Sequence, residues 1–194
     1  MFDLGGVLIR WDPVAAVAAG VGEPEARRFF ETFDFHGWNH ALDAGGSVAE
    51  AEARIAAEAP EWGPHVRAYR AHFDKAVPGT LPDMVDVLRD LHARGVPVYA
   101  LTNWPAELFV TARARFDFLG LFRDIVVSGE VGVAKPDPAV FEILRSRVRE
   151  PFASCLYVDD APVNVAAAAD AGLDAVLFSG TPTFLEDLAA RGLR

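Results

Sequence analysis

The chain has 194 residues, 52% of them hydrophobic and 24% charged, and a formal net charge of −10. That length suits one core domain carrying a modest insertion, and the composition excludes a disordered or fibrous chain. The acidic balance argues against nucleic acid or an anionic membrane as partner, and leaves room for a small anionic substrate held beside a cation.

The first residues, MFDLGGVLIRWDP, place Asp3 at the end of a short apolar strand and follow it with Gly5 and Gly6. A buried, unpaired carboxylate is costly, so a cation neutralises it or it is there for chemistry. Only Met1 and Phe2 precede it, whereas a central strand usually runs ~5–6 residues. The expectation is a trimmed start or a fold that tolerates a weakened central strand. No basic stretch leads into a long apolar one, and no apolar run approaches membrane-spanning length, so a cytoplasmic protein with no membrane partner is expected.

Between Pro13 and about Pro78 no convincing strand is found, only helical stretches such as EPEARRFFETF and SVAEAEARIAAEA. The second opens on Ser47 with Glu50 three positions on, a capping box. This reads as a helical insertion after the first strand. The expected organisation is a core of residues 1–12 and 79–194 with a helical cap insertion over 13–78.

Beyond the insertion, strand-like and helix-like segments alternate. Val96–Leu101, Asp124–Ser128, Leu156–Asp159 and Ala175–Phe178 are short, apolar and β-prone. Helix starts follow at Pro105, Pro138, Pro162 and Pro182, and helix ends fall at Gly95 and Gly172. Apolar strands alternating with helices predict an α/β fold, a Rossmann-like doubly wound parallel sheet covered on both faces. Cys155, the single cysteine, permits no internal disulfide and reads as a small core residue.

Ligands of such sheets bind outside the carboxyl ends of the strands. Those ends carry Asp3, then Thr102 and Asn103, then Lys135 in the loop GVAKPDP, then Asp159 and Asp160. Carboxylates meeting at one point repel unless a hard cation sits between them, and Mg²⁺ prefers such oxygen ligands. A lysine offsets remaining charge, while a hydroxyl and helix N–H groups bind phosphate oxygens. A carboxylate held there is a nucleophile toward phosphorus.

In this order and spacing, FDLGGVL, LTN, AKPDP and YVDDAPVN resemble the four motifs of the haloacid dehalogenase superfamily, and the helical insertion is similar to that superfamily's small cap. Within it, FDLGGVLI with WDP and LTNWP look most like small bacterial phosphatases, a sugar-1-phosphate phosphatase group among them. The resemblance implies that Asp3 is the nucleophile and a Mg²⁺ ligand, together with the Gly5 carbonyl, Asp160 and the neighbouring Asp159. It implies that Thr102 and the Asn103 region hold the phosphoryl group and that Lys135 bridges nucleophile and phosphoryl charge. The function expected is phosphomonoester hydrolysis of a small phosphorylated metabolite, a sugar phosphate among the candidates, through an aspartyl-phosphate.

One position departs from that pattern. The family's usual first motif has a second aspartate, the general acid and base, where this chain has Gly5. A site without that acid favours weakly basic leaving groups such as the anomeric oxygen of a sugar-1-phosphate; a proton from a cap residue or a water removes the preference. The alternatives are a 2-haloacid dehalogenase, against which Asp159–Asp160 speaks, and a catalytically weak binding protein on the same fold. Taken singly, Asp159–Asp160 and Thr102–Asn103 are ordinary helix caps and Lys135 an ordinary loop lysine. His36 and His40 lack a metalloprotease glutamate and read as cap residues, not zinc ligands. Trp11, Trp38 and Trp104 read as core aromatics, with Trp104 able to line a pocket, and Arg145, Arg147 and Arg149 as a solvated helix end.

Overall fold

In the computed structural model, which describes residues 1–193, four short strands lie parallel at the centre. β1 (Tyr99–Thr102) pairs with β2 (Asp124–Val127), and β3 (Leu156–Asp159) pairs with β4 (Asp174–Leu177). The first strand of the sequence is reduced to Phe2, which bridges Ala100 on one side and Val158 on the other. Its amide donates to the Tyr99 carbonyl (2.9 Å) and its carbonyl accepts from Leu101 (3.0 Å), while Asp3 N donates to Val158 O (2.9 Å). The spatial order is therefore β2, β1, Phe2, β3, β4. β1 begins three residues later than the sequence predicts, because Pro97 has no N–H for the ladder.

Alternate strand residues feed two separate cores. Ala100, Ile125, Val127, Leu156 and Val158 face α7 (Pro82–Ala93), α8 (Ala106–Arg115) and α12 (Thr181–Ala190). Leu101, Val126 and Tyr157 face α10 (Pro138–Arg147) and α11 (Pro162–Asp170). The period of two is what places helices on both faces. Pro138 and Pro162 open their helices, Pro182 stands second in α12, and Pro105 is the N-cap of α8 rather than its first turn. A short helix, α9 (Ser128–Val131), follows β2.

Residues 13–76 form α1 (Pro13–Val21), α2 (Glu23–Thr32), α3 (Phe35–Asp43), α4 (Val48–Glu58), α5 (Gly63–Ala71) and α6 (Phe73–Ala76). Ser47 Oγ accepts from Glu50 N (3.4 Å), the helix-starting half of a capping box. Phe29, Phe35, Trp38 and Tyr69 make an aromatic core of mostly edge-to-face and tilted pairs. The two connections to the sheet run side by side: Ile9 and Thr80 form an antiparallel bridge, and Arg10, Asp12 and Leu81 amides donate to Gly79, Ala76 and Leu8. Among the described residues no helix is long and apolar enough to cross a membrane.

Three expectations need correction. Trp11 is not a core aromatic; it is 41% exposed and stands against Phe35 and His36. Cys155 is half-buried rather than fully inside. The DIVVS segment ends its strand at Val127, because Ser128 already belongs to α9.

Candidate active site

At the carboxyl edge of the sheet, Lys135 is only 1% exposed. Its Nζ lies 2.9 Å from Asp3 Oδ1 and 2.7 Å from Asp159 Oδ2, and it donates to Leu101 O and Tyr157 Oη, each at 3.1 Å. Far from being a solvated loop lysine, it is a buried ammonium satisfied on every side. Burial opposes its charge, but Asp3 and Asp159 more than offset that, and its pKa rises. Asn103 holds the lysine's backbone in place: Asn103 Oδ1 accepts from Lys135 N (2.8 Å) and Nδ2 donates to Lys135 O (2.9 Å). The Asn103 side chain is thereby engaged in positioning Lys135. Thr102, at the end of β1, is 1% exposed.

The adjacent aspartates differ. Asp159 is fully buried and takes donors at both oxygens: Lys135 and Tyr157 at Oδ2, Ala161 N at Oδ1 and Asn164 Nδ2 at both. Burial alone would raise its pKa, but the Lys135 charge and these hydrogen bonds hold it below the usual carboxylate range. Asp160 is exposed at its outer side and carries no such cage; the partial desolvation of its carboxyl and the Asp159 charge push its pKa up. Its position depends on Gly6. A Cβ there would stand 2.0 Å from Asp160 Oδ2, and the Gly6 φ of +71° is one that L side chains rarely adopt.

Asp3, Asp159 and Asp160 each offer an oxygen within 4.8 Å of the others, the one such cluster among the described residues. With one ammonium beside three carboxylates, two negative charges stay unbalanced if all ionise. Asp3 Oδ1 has the lysine charge nearby but no hydrogen bond aimed at it. Burial, reinforced by Asp159 and Asp160, pushes the Asp3 carboxyl up to about 7 despite Lys135. An orphaned buried oxygen and unbalanced charge fit a divalent cation bound by oxygen. His36 and His40, exposed on α3, belong to no such cluster.

A cavity of about 360 Å³ opens over this edge, lined by Asp3, Gly5, Trp104 and Asp160 from the sheet side and by Asn39, Asp43 and Tyr69 from the helical segment. Sequence reasoning placed Asp3, Asn103 and Asp160 here and found Lys135. It missed Tyr157, Asn164 and Asp43. Asn164 carries a legible signal, an amide five residues after Asp159 in the first turn of the helix that follows β3; Asp43 carries none.

A family model for haloacid dehalogenase-like hydrolases matches residues 1–172. A sesquiterpene phosphatase of Aspergillus oryzae is 28% identical over 181 residues, covering 89% of this chain and 85% of that protein. A phosphoglycolate phosphatase of Cereibacter sphaeroides is 31% identical over 193 residues, covering 92% and 84%. In fold, the chain is similar to an enzyme of the same family from Bacteroides thetaiotaomicron, crystallised with magnesium and inorganic phosphate: TM-score 0.74, 19% identity, covering 95% and 96%.

Proposed function

The chain belongs to the haloacid dehalogenase-like hydrolases, and from that premise we propose that it is a Mg²⁺-dependent phosphatase of a small phosphorylated metabolite. The observation that carries the reading is the meeting of Asp3, Asp159 and Asp160 within 4.8 Å beside one buried lysine. Relatives named as phosphatases, aligned over most of their length, support it.

Asp3 would attack phosphorus through a carboxylate oxygen as the bond to the leaving oxygen breaks, giving an aspartyl-phosphate that water then cleaves. Lys135 holds Asp3 in place and offsets the charge that builds as the dianionic phosphoryl group approaches a carboxylate. Asp159 fixes Lys135, and Asn103 fixes the loop that carries it. Thr102 and the backbone after it would bind the phosphoryl oxygens. Asp3, the Gly5 carbonyl and Asp160 would hold Mg²⁺, with Asp159 beside them; when bound, the ion neutralises phosphoryl oxygens and so lets two anions meet. Helices α1–α6 would act as a cap over the core, and Asn39, Tyr69 and Trp104 around the cavity suit a small hydroxylated carbon skeleton such as a sugar.

The test is phosphate release from a panel of phosphorylated metabolites with Mg²⁺ and with EDTA, run beside halide release from 2-haloacids. Turnover of phosphomonoesters that EDTA removes is expected, with Asp3→Asn lowering it by at least ~10⁴-fold and no loss of melting temperature. Halide release that survives EDTA, or an Asp3→Asn enzyme within a few-fold of wild type, overturns the reading.

A further inference from the structure

Resting on the phosphatase reading, we propose that Asp43, at the end of α3, supplies the leaving-group proton that the first loop lacks at Gly5. Asp43 is 7% exposed and lines the same cavity as Asp3, Gly5 and Asp160. Its Oδ2 accepts from Asn39 Nδ2 (3.0 Å), while its buried Oδ1 has no hydrogen-bond partner and, among the described residues, the carboxyl makes no ion pair. A carboxylate with an orphaned oxygen inside a protein is expensive as an anion and far cheaper protonated. Protonated, the carboxyl is a hydrogen-bond donor in the wall of that cavity.

The surroundings agree. Burial pushes the Asp43 carboxyl up to about 7, with Lys135 pulling it down, Asp3 pushing it up and the Asn39 amide favouring the anion. Tyr69 on α5 is the other titratable group that feels its charge. A group poised near neutrality both gives and takes a proton readily. Its placement is also rigid. Gly45, two residues on, sits so close to the core that a Cβ there would be 3.0 Å from Gly132 Cα, and Val48 N donates to Glu107 Oε1 (3.2 Å). Around Gly5 itself a Cβ would meet nothing within 4 Å, so that side of the cavity is open to the leaving group.

The proton balance closes. In the first half, the Asp3 carboxylate bonds to phosphorus, the phosphorus–leaving-oxygen bond breaks, and protonated Asp43 converts the departing alkoxide to an alcohol. In the second, carboxylate Asp43 takes a proton from the attacking water, the phosphorus–Asp3 bond breaks, and inorganic phosphate leaves with both aspartates restored.

This reverses what Gly5 alone predicts for the wild type: kcat/KM depends only weakly on leaving-group pKa. In Asp43→Asn, alkyl phosphates lose about 10²–10⁴-fold, whereas a nitrophenyl phosphate gives a burst of one nitrophenol per site and then slow turnover, because dephosphorylation of Asp3 lacks its base. Gly5→Asp in the Asp43→Asn background, at a position where a Cβ meets nothing within 4 Å, restores alkyl phosphate turnover. A steep leaving-group dependence in the wild type overturns the proposal without any variant. So does Asp43→Asn with an unchanged rate, with only a raised KM, or with an equal loss on both substrates and no burst. If the wild type hydrolyses no phosphomonoester at all, the phosphatase reading has failed, and this inference falls with it.

Discussion

Lys135 stands between two carboxylates at 1% exposure, and both owe part of their acidity to it. Replacing it by methionine keeps the volume and leaves two adjacent buried carboxyls without a cation. Breaking a buried ion pair from one side costs about 3–5 kcal/mol, so Lys135→Met should lose that much in urea unfolding at pH 7 in EDTA. The pH dependence has a definite sign. Without the lysine, Asp3 and Asp159 titrate higher in the folded state than in the unfolded chain. Such groups bind extra protons on folding, so the deficit should shrink as pH falls from 7 to 5. A deficit that stays constant over that range means the ammonium is not what holds the pair together.

At the scale of elements, the sheet depends on Phe2. This residue is the link between the β1–β2 and β3–β4 pairs, and its ring, 2% exposed, packs edge-to-face on Phe122 and Phe184. Phe2→Ala removes the ring while keeping the ladder, and a cost of about 3–5 kcal/mol is expected from a cavity of that size. Hydrogen exchange should report it at Leu101 and Asp3, whose amides donate to the Phe2 and Val158 carbonyls. Unchanged protection at both would mean that β1 and β3 are held by their flanking helices instead.

For the whole molecule, the join between helical segment and sheet matters most, because the cavity lies between them. Arg115, at the end of α8, donates to the carbonyls of Asp74, Val77 and Pro78, along the chain's return to the core. Hydrogen bonds from a charged donor are worth more than neutral ones, but part of this guanidinium faces water, so Arg115→Ala should cost about 2 kcal/mol. Limited proteolysis should then cut faster between residues 72 and 81, and a cleavage rate equal to wild type would show that the paired connections hold without it.

The local pattern of the chain by itself determined the alternation of strands and helices after residue 95, the all-helical stretch after Pro13, the strand-end positions of Asp3, Thr102 and Asp159–Asp160, and the loop position of Lys135. Each of these is written in short-range features: hydrophobic period, proline and glycine punctuation, and order of motifs. Burial and partnership were not legible, because they depend on what distant segments bring. Lys135 reads as a loop lysine until Tyr157 and Asp159 of another strand close around it. Trp11 reads as core until the return of the chain leaves it at the surface. Asp43 goes unmarked in the sequence, since nothing within several residues singles it out. Only the folding of the helical segment onto the carboxyl edge of the sheet brings that carboxyl to the cavity that Asp3 and Gly5 also line, and a shared cavity wall across some 40 residues leaves no periodic trace in the sequence between them.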